Sequence, residues 1–190
     1  QLNATTPETH IIPSSPDLSK ITSLRVDIII PVHNAMEDVK NCLDSVEATL
    51  FKTHRIIIVN DGSDSETTNF LQNFSSSRDH VNLISHTKAK GYTKAANIGM
   101  KNSNADYVIL LNSDTITTKN WLLKMLHCAE SSSAIGVVGP LSNAASWQSI
   151  PEIKTPDGSY HLNPLPANIS IDDISSICER ESSDTPPLVN

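Results

Sequence analysis

Apolar and polar positions follow two alternating periods through the middle of this chain. Val26 to Val32 and Arg55 to Val59 are β-branched runs suited to strands, and between them Met36, Val39, Leu43, Val46 and Leu50 recur every three or four residues. That spacing lays one apolar stripe along a helix of about four turns. Asn34, with Glu37 three residues later, has capping-box spacing at its start. The unit reads β-α-β, a crossover that joins parallel strands with right-handed chirality.

The alternation continues downstream. A helix is predicted over Ser63 to Phe74, with Phe70, Leu71 and Phe74 apolar and Ser63 to Glu66 as a second capping-box spacing. Val81 to Ser85 reads as a strand, Thr93 to Lys101 as a small helix, and Tyr107 to Leu111 as a strand. Trp121, Leu122, Met125, Leu126 and Ala129 mark a further helix, and Ile135 to Val138 a further strand. Strands and helices alternating at these lengths predict an α/β layer fold with a mostly parallel sheet. Tyr107 to Leu111 is short and apolar enough to be a strand buried on both faces of that sheet.

Both ends lack this regularity. Residues 1–24 hold Pro7, Pro13 and Pro16 among Thr and Ser and read as a linker or tail. Residues 25–145 hold the periodic core. Pro140, Pro151, Pro156, Pro164 and Pro166 break the chain after it, so most of residues 139–169 is expected to be irregular. Within 146–190, Ile171, Ile174, Ile177 and Cys178 predict one short helix, capped by Ser170 and Asp173, and Ser182 to Asn190 reads as a loop.

Composition narrows the partners. A chain of 190 residues with 14 basic and 21 acidic side chains can bury a core but has no electrostatic footprint for a nucleic acid polymer. A small-molecule ligand fits better. Cys42, Cys128 and Cys178 are odd in number and lack CxxC spacing, so neither a disulfide framework nor a zinc site is indicated, and a reduced, cytoplasmic setting is expected. No apolar run reaches the ~20 residues of a membrane span. The Asn-x-Ser/Thr triplets at Asn3, Asn73 and Asn168 carry little weight.

Candidate chemistry sits at the polar ends of the strands, because ligands of open α/β sheets bind at the carboxyl edge. Asn112-Ser113-Asp114 follows the fourth strand, and Asp114 is the one full charge in that turn. A carboxylate there can hold Mg2+ or Mn2+, whose remaining shell comes from substrate phosphates and water. The same residues could simply form an Asx turn. Pro31-Val32-His33-Asn34 closes the first strand with a ring able to stack on a base. Val59-Asn60-Asp61-Gly62-Ser63 closes the second with a carboxylate able to accept a base N–H. Lys88, Lys90, Gly91 and Lys94 stand at a helix entrance whose open N–H groups suit an anion. The glycines match neither GxGxxG nor a Walker loop.

Taken in this order, Val26-Asp-Ile-Ile-Ile-Pro-Val-His-Asn34, Ile58-Val-Asn-Asp-Gly-Ser63, Gly91-Tyr-Thr-Lys-Ala-Ala-Asn-Ile-Gly99 and Leu110-Leu-Asn-Ser-Asp-Thr115 resemble the inverting glycosyltransferase family 2 over about residues 25–145. The resemblance implies a GT-A fold, a Rossmann-like sandwich with a mostly parallel central sheet, here truncated on its acceptor side. It further implies that Pro31, His33, Asn34 and Asp61 surround the base of a nucleotide-diphosphate sugar. Gly91, Lys94, Asn97, Asn112 and Ser113 would line the nucleotide pocket, and Asp114 would bind Mg2+ or Mn2+. Two departures stand out: His33 replaces the usual aromatic residue, and Asn112 replaces the first carboxylate of DxD.

The implied reaction transfers a sugar to an acceptor hydroxyl with inversion. Its catalytic base belongs to the acceptor half, and neither Glu152 nor Asp157 is singled out by spacing. The acceptor, whether glycan, lipid-linked or protein, is unspecified. A nucleotide-sugar binding module without turnover and a nucleotidyltransferase-like enzyme stay open as alternatives.

Overall fold

Val26–Val32 (β1), His54–Asp61 (β2), Val81–His86 (β3) and Tyr107–Leu110 (β4) form one parallel sheet in the order β3-β2-β1-β4. This computed structural model describes residues 18–181. The expected tail up to residue 17, the Asn3 triplet and the loop from residue 182 lie outside the described residues. The helices are Leu18–Ser23 (α1), Met36–Glu47 (α2), Ser65–Ser76 (α3), Tyr92–Lys101 (α4), Trp121–Glu130 (α5) and Ile171–Glu181 (α6). The described chain divides into two compact units, Leu18–Leu122 and the segment from Leu123 onward.

In the first unit the core is the central strand pair. Every residue of β1 is buried, as is every residue of β2 except Arg55. Burying each Ile or Val contributes roughly 1.5–3 kcal/mol, so Ile28, Ile29, Ile30, Ile56, Ile57 and Ile58 dominate the unit's stability. Helix α2 buries Val39, Cys42, Leu43 and Val46, which realises the predicted stripe except at Met36, only partly buried, and Leu50, beyond the helix end. Helix α4 lies against β1 and β2 so closely that a Cβ at Gly99 would come within 2.3 Å of the Ile29 Cγ2 atom. At the amino edge, Asp27 is 1% exposed and takes two hydrogen bonds from Arg55 at 2.8 and 2.7 Å. Strand register sets these two residues opposite each other.

Several expectations change. Strand β4 lies at the sheet edge, with Val108 42% and Leu110 44% exposed, so it is not buried on both faces. Pro31 does not end β1, which runs through Val32. Its missing N–H does no harm there. The Ile29 carbonyl, two residues earlier and on the same side, is already taken by Leu111, where β4 stops. Residues 18–23 are helical rather than irregular, anchored by buried Ile21. Ile135 to Val138 forms no strand and leaves Val137 91% exposed, since no strand among the described residues pairs with it.

The caps also differ. Helix α2 begins from Ala35 in the left-handed region without a side-chain cap, because Asn34 points elsewhere. Helix α3 is capped by Asp64, which accepts from Thr67 N at 2.8 Å, not by Ser63. In the second unit, residues 139–169 are irregular as expected, with isolated bridges Ser142 to Ser149 and Lys154 to Tyr160. Helix α6 carries the predicted cap: Ser170 N donates to the Asp173 carboxylate at 3.0 Å and Asp173 N to the Ser170 hydroxyl at 3.1 Å. Among the described residues no helix is long and apolar enough to cross a membrane.

Candidate functional site

Parallel strands bring the polar ends of β1, β2 and β3, the turn after β4 and the entrance to α4 to the carboxyl edge of the first unit's sheet. At that edge His33 is exposed and its Nδ1 lies 2.9 Å from the Asp61 carbonyl oxygen. A carbonyl only accepts, so Nδ1 carries the proton and a neutral ring keeps Nε2 as an acceptor. Asn34 is tied to the next loop: its N–H donates to the Ser63 hydroxyl at 3.0 Å, and its side-chain oxygen accepts from Asp64 N at 2.8 Å. Left-handed backbone at Asn34 and Ala35 turns the chain toward that loop.

Asp61 is 4% exposed, and its carboxylate is filled by the chain itself. Oδ1 accepts from His86 Nδ1 at 3.0 Å and Lys90 N at 2.9 Å, and Oδ2 from Lys90 N at 2.9 Å and Gly91 N at 2.8 Å. A carboxylate offers about four lone-pair sites, and three donors engage this one, with the Lys90 N–H shared between its two oxygens. Burial pushes the Asp61 pKa up, but the bonds from His86, Lys90 and Gly91 outweigh it and hold the group below the usual carboxylate range. Asp61 therefore anchors the loop that opens α4. Gly62 reinforces the anchor. It has φ of 70°, and a Cβ there would sit 2.4 Å from Ala89 N, so only glycine admits the loop this close.

The turn after β4 is held by two residues the sequence reading did not single out. Tyr92 donates its hydroxyl to the Asn112 side-chain oxygen at 3.0 Å, and the Cys42 thiol donates to the Asn112 carbonyl at 3.5 Å. Burial pushes the Cys42 thiol up to about 11, with Asp114 adding to the shift. Burial, and then the Asp114 charge, also raises the Tyr92 hydroxyl. Asp114 itself is exposed, and no hydrogen bond or ion pair engages it among the described residues. No cluster of three or more acidic, histidine or cysteine side chains that could hold a metal occurs among the described residues. A lone open carboxylate fits a hard cation that takes most of its oxygen shell from a bound diphosphate and water.

The remaining candidates are placed differently. Gly91 caps α4 with φ of 93° and no side chain, which leaves the first turn open to an anion. Pro31 is buried within β1. Lys94 and Asn97 line an open groove with Lys90, Ile98 and Lys101, and no hydrogen bond joins them to Asp61, Asn112 or Asp114. In the second unit Asp157 accepts from the Thr155 hydroxyl and from Ser159 N, so its carboxylate closes its own turn. Glu152 lies 3.8 Å from His161 Nε2. His86 could have been found by the rule that found His33, because it ends β3 at the same edge. The thiol of Cys42 and the hydroxyl of Tyr92 gave no such signal, since the first belongs to an apolar stripe and the second to a lysine-rich loop.

Comparison with known proteins bears on this geometry. A glycosyltransferase, GlyA, from Streptococcus pneumoniae serotype 4 is 32% identical over 90 residues, which is 47% of this chain and 13% of that protein. Poly-beta-1,6-N-acetyl-D-glucosamine synthase from Staphylococcus aureus is 25% identical over 123 residues, 65% of this chain and 30% of the synthase. The chain thus spans a third or less of the length of these relatives. In fold it is similar to a mannosyltransferase of Pyrobaculum calidifontis solved with GDP-Man and Mn2+, at a TM-score of 0.51, 18% identity, and coverage of 65% of this chain and 36% of that one. The sheet with its flanking helices is therefore a GT-A fold. The sequence profile of Glycosyl transferase family 2 matches residues 27–153, which takes in β1 through α5 and the first irregular loop, and the chain belongs to that family.

Proposed function

We propose that this chain forms the donor-binding part of an inverting glycosyltransferase that uses a nucleotide-diphosphate sugar and Mg2+ or Mn2+. The observation that carries the reading is Asp114, an open carboxylate at the carboxyl edge of a parallel sheet, beside an Asn112 whose orientation is fixed by Tyr92. The mannosyltransferase of similar fold was solved with GDP-Man and Mn2+, which supports a nucleotide-sugar donor and a divalent cation. Pro31, His33 and Asn34 flank the base, with the His33 ring as a stacking face. Gly91 and the open first turn of α4 face the diphosphate, with Lys94 and Asn97 further along that helix. Asn112 and Ser113 meet the ribose or phosphate oxygens, and Asp114 holds the cation.

A cation bound there would neutralise charge on the leaving nucleoside diphosphate. The chain's own share is to bind and orient the donor. The acceptor site and the catalytic base are assigned to none of these residues.

The test is thermal unfolding with UDP, GDP, CDP and dTDP, each with and without Mn2+. A ligand at 100 times its dissociation constant stabilises the fold by about 2.7 kcal/mol. A metal-dependent upward shift with one nucleotide, lost in Asp114→Ala, is the expected result. No shift with any of the four overturns the reading.

A further inference from the structure

The second unit carries an aromatic corner that the donor site does not use. Trp147 is 68% exposed and Tyr160 52% exposed, although the chain has only two tryptophans in all. Their ring centroids lie 6.2 Å apart with the planes at 78°, so the two faces meet like adjoining walls. The Lys154 ammonium lies 5.5 Å from the Trp147 centroid and 5.7 Å from that of Tyr160. Mutual contact and the cation hold the rings in place but leave most of their surface in water.

The corner is built on a fixed base. Trp147 sits in the loop closed by Ser142 N donating to the Gln148 carbonyl at 3.0 Å and Ile150 N to the Ser142 carbonyl at 2.9 Å. Ser149 is 3% exposed and exchanges hydrogen bonds with the Ala145 backbone. Tyr160 ends a tight hairpin in which Thr155 N donates to the Ser159 carbonyl at 2.9 Å. Asn163, 4% exposed, joins the two: its amide donates to the carbonyls of Asn143 at 3.2 Å and Glu152 at 2.9 Å, and its oxygen accepts from Glu152 N at 3.2 Å. A buried amide satisfied in this way holds both loops in one register.

We propose that Trp147 and Tyr160 form a saccharide-binding corner. A pyranose ring has one apolar face of C–H groups bounded by hydroxyls. The aromatic faces match the first, while the Lys154 ammonium beside both rings supplies a donor for the second. A purely apolar occupant would strip water from the Lys154 ammonium without replacing its hydrogen bonds. In the donor-site reading above this corner belongs to the acceptor, and it rests on that reading only for the ligand's role.

The test uses the full chain and its tryptophan emission. Trp121 donates its indole N–H to Thr49, whereas Trp147 is open to solvent, so a change of emission reports chiefly on Trp147. Cellohexaose, maltohexaose, mannohexaose and chitohexaose serve as probes. The expected result is a saturable blue shift with at least one of them. It should be about tenfold weaker in Tyr160→Ala and retained in Tyr160→Phe, Trp121→Phe and Asp114→Ala. Retention in Asp114→Ala separates this proposal from the donor site. No shift with any probe overturns it, and so does a concentration-dependent dimer in sedimentation that Trp147→Ala abolishes, because a second copy would then occupy the corner.

Discussion

The Tyr92 hydroxyl donates to the Asn112 side-chain oxygen at 3.0 Å, which leaves the Asn112 amide NH2 as the free end of that side chain. In the proposed donor site Asn112 would then meet the ligand through its NH2, as a hydrogen-bond donor. In Tyr92→Phe the amide is free to turn, and nucleoside diphosphate affinity should fall about 3- to 10-fold, the value of one hydrogen bond. The melting temperature should hardly move, since Tyr92 is 51% exposed. Calorimetric titration of Mn2+ adds a second check: wild type should bind it weakly without nucleotide, and Asn112→Asp, with a second carboxylate, more tightly. Equal Mn2+ affinity with and without nucleotide in wild type would count against Asp114 as a ligand that relies on the diphosphate.

Asp61 should behave as an anchor for the α4 entrance. Asp61→Ala removes the acceptor to which Lys90 N and Gly91 N now donate, and leaving such buried groups unpaired costs about 1–3 kcal/mol. Denaturant unfolding should show that loss, and affinities for UDP and CDP should fall by the same factor. A change in the ratio of the two would instead mean that Asp61 reads the base. The carboxylate's pKa is depressed in the folded chain, so its stabilisation is complete above the unfolded value near 4 and is lost as pH falls further.

A buried histidine sets a second acid-side dependence, away from the site. His54 is 1% exposed and accepts from Phe51 N at 3.1 Å, and Nε2 has no partner. Burial lowers its pKa to about 4. The unfolded chain binds this proton from about pH 6.5, so stability should fall as pH drops through 6.5 toward 4, by about 2 kcal/mol at pH 4.5. His54→Asn, whose side-chain oxygen can keep the Phe51 bond, should flatten that slope in urea unfolding at pH 7.5 and 4.5.

What was legible in the sequence was local and periodic. The stripe Val39, Leu43 and Val46, the isoleucine runs and the Ser170 and Asp173 cap each depend on neighbours a few residues away, and all appear as expected. The α/β layer fold followed from the order of such elements, and its GT-A form from the resemblance of the strand-end motifs to the family. The differences come from partners distant in sequence. Asn34 does not cap α2 because Ser63 and Asp64, about 30 residues on, take its groups. Composition alone could not tell an edge strand from a buried one, so Val108 and Leu110 were placed on the wrong side of that choice. In the site, residue types at strand ends marked the right edge of the sheet. The filling of Asp61 by His86, Lys90 and Gly91 required three separate segments to meet, which no spacing encodes.

The thiol of Cys42, held at about 11 beneath the Asn112 turn, has a further meaning for handling and for physiology. At neutral pH almost none of it is thiolate, the nucleophile that attacks alkylating reagents, peroxide and disulfides. Maleimide labels will therefore go to Cys128 and Cys178, each partly exposed, and will leave the turn untouched. The support beneath Asn112 stays the same whether the surroundings oxidise or reduce.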